Sequence, residues 1–245
     1  MVSSKLINLD EVKLTHTANE FTTTLGIDSI AHCQDNNHYN SYTKFIVYKF
    51  NELGYRDEEW PENIDNHIWA VGDSFTVGIG QPFEETWPQL VQGKIQSRVI
   101  AVSMNGASNT WIARRARFIL ENFNPSALLI QWSYVHRRED PDISKPDELR
   151  ALNFDPNDFA DFENLTVNIM SVETIKSTTK IIHSFIPKFF NSETDTDKAT
   201  ALYSKLDTDN ILYFVPPEQV DFARDGYHYD ILTSTQYADS YVKLL

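Results

Sequence analysis

Short apolar runs recur along this chain at residues 67–71, 99–102, 127–132, 180–186 and 211–215. None shows the strict apolar–polar alternation of a half-exposed antiparallel strand. Continuous apolar runs of this length are strands covered on both faces, the condition of a parallel sheet. The segments between them carry helical spacing. Trp87, Leu90, Val91 and Ile95 fall on one face of a helix expected over 85–96. Ile112, Ala116, Ile119 and Leu120 do the same over 110–122, and Ile169, Val172 and Ile175 over 164–178. Further helices are expected over 195–206 and 232–244, and Pro187 and Pro216-Pro217 stop the last two strands. Strands alternating with helices fold as α/β, here a three-layer α/β/α sandwich around a mainly parallel five-stranded sheet.

A length of 245 residues suits one large domain, and 41% hydrophobic residues supply its core. Residues 66–245 hold the alternating pattern. Residues 1–65 have weak periodicity and read as an N-terminal extension packed on it through Phe21, Leu25, Ile27, Phe45, Ile46, Val47 and Tyr48. The acidic, proline-containing stretch 140–159 reads as a loop or insertion. A formal charge of −14 argues against nucleic-acid partners, which need clustered Lys and Arg, and against an anionic membrane surface. Cys33 is the only cysteine, so no intramolecular disulfide forms, as suits a reducing compartment. No secretory h-region and no 18-residue apolar stretch is present, so a soluble, cytoplasmic or similarly membrane-free location is expected.

Ligands of such sheets sit beyond the carboxyl ends of the strands. The first apolar run feeds directly into Gly72-Asp73-Ser74, which sets a serine on a tight turn at that edge. Backbone N–H groups of the turn face the same way and can hold an oxyanion. Asp225-Gly226-Tyr227-His228 follows the last run by about ten residues and can reach the same edge. A serine with an Asp-x-x-His partner is equipment for acyl transfer. Blander roles stand beside these: Ser74 or Asn109 as a helix N-cap, Gly106 as a turn glycine, His228 as an exposed turn residue. Trp132 and Trp111 at the active edge could line a pocket, and Arg137 or Arg138 could contact substrate. His183, within a strand, is a core histidine. His32, Cys33, Asp35 and His38 lack the ligand spacing of a structural metal site, and no metal is expected.

Taken together, these segments resemble the SGNH hydrolases, also called the GDSL esterase/lipase family, over residues 66–245. Gly72-Asp73-Ser74 matches the first block of that family. Ser103-Met104-Asn105-Gly106-Ala107-Ser108-Asn109 matches the second, and Asp225 with His228 the last. Asn51-Glu52-Leu53-Gly54-Tyr55-Arg56 looks like an Asn-x-x-Gly-aromatic-Arg segment found ahead of the serine block in one branch. The resemblance implies a flavodoxin-like sheet order and a triad of Ser74, His228 and Asp225. It also implies an oxyanion hole formed by Ser74 and Gly106, and no cofactor. One block departs: Leu128 to His136 contains no asparagine where the family carries an oxyanion donor. Asn109, Gln131, Ser133 and Tyr134 are candidate substitutes, with Asn109 favoured for its place on the Gly106 loop. The implied activity is a serine esterase for short-chain acyl esters, such as O-acetyl groups on carbohydrate. A non-catalytic glycan-binding or assembly module and an O-acyltransferase are the rival readings.

Overall fold

In the computed structural model, the residues described are 8–14, 18–33, 37–139, 150–151, 159–175, 178–187 and 196–245. A 3-10 turn at Leu9–Val12 precedes β1 (Phe21–Thr22), α1 (Ile30–Cys33), α2 (Asn37–Ser41) and β2 (Tyr48–Lys49). Then follow β3 (Ile68–Gly72), α3 (Ser74–Val77), α4 (Trp87–Ile95), β4 (Val99–Ser103), α5 (Asn109–Asn122) and β5 (Ala127–Trp132). The chain continues through β6 (Arg137–Arg138), β7 (Arg150–Ala151), α6 (Phe159–Glu173), β8 (Lys180–Phe185), α7 (Thr196–Thr208) and α8 (Ile231–Leu244).

The first four apolar runs form a parallel sheet in the order β4-β3-β5-β8. The fifth run joins beside β8 through one parallel bridge, His183 to Tyr213. There the His183 N–H donates to Leu212 O at 2.9 Å, and the Phe214 N–H to His183 O at 3.1 Å. Its pairing is short because it lies at the edge and runs into Pro216-Pro217, which bring no N–H donors. In order of the runs the sheet reads 2-1-3-4-5, the flavodoxin-like arrangement. The strands β3, β4 and β5 are buried along their whole length, as their uninterrupted apolar character requires. Helix α4 packs with α8, and α5 with α6, covering the sheet as two helical layers. Trp87 stacks on Tyr241 at 4.5 Å between centroids in the first pair, and Trp69 of β3 stacks on Phe123 beyond α5 at 4.9 Å. Helix α4 starts at Trp87 rather than at 85, because Pro88 is suited to a first helical turn. Most of 140–159 lies outside the described residues; within it, β7 pairs antiparallel with β6.

The N-terminal residues share the core. Leu14, Leu53 and Tyr55 are buried in the main apolar cluster, and Ile46, Tyr48 and Phe50 form a second one with Val77 and Ile79. Phe21 and Phe45, expected among the anchors, are instead 78% and 80% exposed. The antiparallel pairing of β1 with β2 sets Phe21 opposite exposed Lys49, while Thr22 lies opposite buried Tyr48. Arg56 is nearly fully buried and donates to the carbonyls of Val47, Val77, Gly78 and Gln81. Gly54 turns the chain toward it at φ +86°, where an added Cβ would lie 1.8 Å from Leu14 O. Among the described residues no helix is long and apolar enough to cross a membrane.

Candidate active site

All strands of a parallel sheet end at the same edge, so the segments after β3, β4 and β5 converge there. Asp73 caps α3, its Oδ1 accepting the Phe75 N–H at 3.0 Å. The cap role thus falls to Asp73, and the Ser74 hydroxyl is left to face outward. Ser74 Oγ lies 2.8 Å from His228 Nε2, and His228 Nδ1 lies 2.6 Å from Asp225 Oδ2. Asp225 Oδ1 also accepts the N–H groups of Tyr227 and His228, at 2.9 and 3.0 Å. Burial alone would raise the Asp225 pKa. The hydrogen bond and charge of His228, with those two N–H groups, outweigh it and hold the carboxyl below its ordinary range. An ionised Asp225 fixes the His228 tautomer with its proton on Nδ1, leaving Nε2 free to take the Ser74 proton.

The N–H groups of Ser74 and Gly106 donate to no acceptor among the described residues. Gly106 adopts φ +75°, a turn conformation that suits glycine. The four substitute donors are all engaged elsewhere. Asn109, favoured from sequence, is fully buried; its Nδ2 donates to Tyr134 O at 2.9 Å and its Oδ1 accepts from Ser133 N at 3.0 Å. It ties down the loop after β5, and Ser108 caps α5 in its stead, accepting the Trp111 N–H. Gln131 is buried in a network with Thr76, Trp87 and Tyr229. Ser133 donates to Asp73 Oδ2 at 2.5 Å, and the hydroxyls of Tyr134 and Tyr227 bond to each other.

The surroundings correct two more expectations. Trp132 and Trp111 are fully buried and line no open pocket. Trp132 Nε1 donates to Nδ1 of His183, a core histidine whose Nε2 in turn reaches Glu173 at 2.7 Å. Arg137 is partly buried, its guanidinium 6.0 Å from the centroid of the Tyr134 ring. Burial and the Arg137 charge push the neighbouring His136 down to about 4, so it stays neutral near pH 7. The aromatic wall beside His228 consists of Phe75, at 4.5 Å between centroids, and Tyr227, at 5.2 Å. Tyr227 is 47% exposed. Sequence reasoning passed it over, although its place between Asp225 and His228 was the signal. Of the residues weighed for a metal, His32 bonds Ser29, His38 bonds Ala223 O, and Asp35 lies outside the described residues. Among those described, no group of three or more His, Cys, Asp or Glu is arranged to hold a metal ion.

No family model matches the chain, and no curated protein matches it in sequence. Solved structures do match. A lipolytic-type protein of the G-D-S-L family from Desulfitobacterium hafniense has a TM-score of 0.53 at 16% identity, over 74% of this chain and 100% of that one. This is the SGNH hydrolase fold. It is shared with an acetyl xylan esterase from Butyrivibrio proteoclasticus, at TM-score 0.52 and 13% identity, over 77% of this chain and 65% of that one. A carbohydrate esterase family 2 enzyme with a carbohydrate-binding domain, from Corynascus thermopiles, has TM-score 0.51 at 12% identity, over 81% and 69%. At such identities the likeness is one of SGNH fold, and chemistry has to be argued from the site itself.

Proposed function

We propose that this protein is a serine esterase acting on short-chain acyl esters, with O-acetylated carbohydrate as the substrate class. The observation that carries the reading is the unbroken line from Ser74 through His228 to Asp225, at 2.8 and 2.6 Å. His228 takes the Ser74 proton as Oγ attacks the ester carbonyl, and Asp225 stabilises the imidazolium that forms. The N–H groups of Ser74 and Gly106 hold the oxyanion. His228 then protonates the leaving alcohol, and water, activated by the same imidazole, releases the acid. The carbohydrate esterases among the fold neighbours support the acetyl preference. Tyr227 offers a sugar ring an exposed aromatic surface beside the serine, and Arg137 a cationic edge behind Tyr134.

With the Asn109 amide committed to backbone, the hole has two donors where the resembling family has three. A missing donor costs about 2.7–4 kcal/mol of transition-state stabilisation, so turnover is slow rather than absent. The same loss favours the rival reading of a glycan-binding module without catalysis. Hydrolysis of p-nitrophenyl acetate and butyrate, and acetate release from acetylated xylan, separate the two. Under the esterase reading the wild type turns over acetate faster than butyrate. Ser74→Ala and His228→Ala then fall by about 10⁶-fold, to the blank. A wild type indistinguishable from both variants on every ester rejects it.

A further inference from the structure

The loop that carries Asp225 and His228 is held from behind by the N-terminal residues. Arg224, next to Asp225, donates from Nε to Asp28 Oδ1 at 2.8 Å and from Nη2 to Asp28 Oδ2 at 2.6 Å. Asp28 is fully buried, so its charge requires that partner. Tyr48 OH donates to the same Asp28 Oδ2 at 2.5 Å and accepts the Gly80 N–H at 2.7 Å. Gly80 lies on the turn that leaves α3, and its carbonyl accepts the Arg224 N–H at 2.8 Å. The circuit Gly80, Tyr48, Asp28, Arg224 and back to Gly80 therefore joins the serine turn to the histidine loop. His38 Nε2 adds a bond to Ala223 O at 2.8 Å, and Ala223 N–H donates to His228 O at 2.8 Å.

We propose that Asp28, Arg224 and Tyr48 are positioning residues that set the Ser74 to His228 approach, which makes the N-terminal segment part of the active centre. None of them touches the reacting atoms. They act by fixing two backbone segments whose separation decides whether His228 Nε2 meets Ser74 Oγ. Misplacement of about 1 Å at such a pair costs about 10²-fold in rate. The kinetic consequence rests on the esterase reading; the geometric one does not.

The test uses the full-length chain with Asp28→Asn and Tyr48→Phe. Folding is checked by thermal melting, kcat and KM are measured on p-nitrophenyl acetate, and the downfield proton NMR signal of the His228 Nδ1–H shared with Asp225 is recorded. Both variants are expected to lose at least tenfold in kcat with KM within twofold of wild type, and to shift or broaden that signal. If Asp28→Asn does not fold, Tyr48→Phe, which keeps the ring and the Asp28–Arg224 pair, decides by the same readouts. Folded variants with wild-type kcat and an unmoved signal overturn the proposal, whatever their melting temperature. A wild type with no esterase activity counts against the function above, and the His228 signal still decides the positioning claim.

Discussion

Ser74 owes its availability to the residue before it. A serine at a strand-to-helix turn ordinarily competes for the cap, and Asp73 removes that competition by accepting the Phe75 N–H. That Ser74, Asp225 and His228 meet at one edge was legible in the sequence, because each lies in a local pattern whose place at the strand ends follows from the apolar runs. Asn109 was not, because nearness to Gly106 along the chain does not say which way an amide points. Its two bonds to the loop after β5 make a clear expectation: Asn109→Ala loses about 1–3 kcal/mol of stability in urea denaturation, since two buried backbone groups lose partners. An oxyanion role would instead lower kcat at unchanged stability. Asp225→Asn is expected to lower kcat by about 10⁴-fold. It also changes stability with pH. Because the folded carboxyl lies below its unfolded value, near pH 4, its ionised form stabilises the fold above that pH. That contribution fades as pH falls through the lower, folded value. Wild type should exceed Asp225→Asn in stability at pH 7, and the gap should narrow in acid; a gap constant with pH contradicts this assignment.

At the scale of elements, period and punctuation carried most of the information. The runs that became β3, β4, β5 and β8 were readable because strands covered on both faces admit few polar residues. The fifth was readable as a location but not as a length, because edge pairing depends on how many N–H groups the prolines leave available. The segment Asn51 to Arg56 was recognisable as a pattern, but its purpose was not, since the contacts of Asn51 and Arg56 that shape and anchor it run from side chain to backbone. Asn51 Oδ1 accepts from Leu53 N and Tyr55 N, shaping a turn that delivers Arg56 to the carbonyls behind Ser74. Gly54→Ala would combine a positive φ with a Cβ 1.8 Å from Leu14 O. It is expected to destabilise by more than about 1–2 kcal/mol, read as a lowered urea midpoint. An unchanged midpoint would mean that the turn relaxes freely and is no fixed support.

At the scale of the whole molecule, the N-terminal residues and the sheet domain are joined by packing and by hydrogen bonds. Ile46, Tyr48 and Phe50 cover Val77 and Ile79, and buried Arg56 and Asp28 bond segments more than twenty residues away. That residues 1–65 pack was readable from their apolar content, but which of those residues lie inside was not, because they follow neither strand nor helix period. Limited proteolysis of the intact protein is expected to leave residues 37–57 attached to the remainder. Rapid loss of the first 57 residues from a core that stays folded would contradict the shared packing. The most direct test of the site is covalent capture of Ser74 by a fluorophosphonate, read by intact-mass and peptide mass spectrometry. An activated serine takes up one phosphonyl group, on the peptide containing Ser74, and His228→Ala abolishes the reaction. No adduct, or an adduct elsewhere that survives Ser74→Ala, would show that Ser74 is not an activated nucleophile.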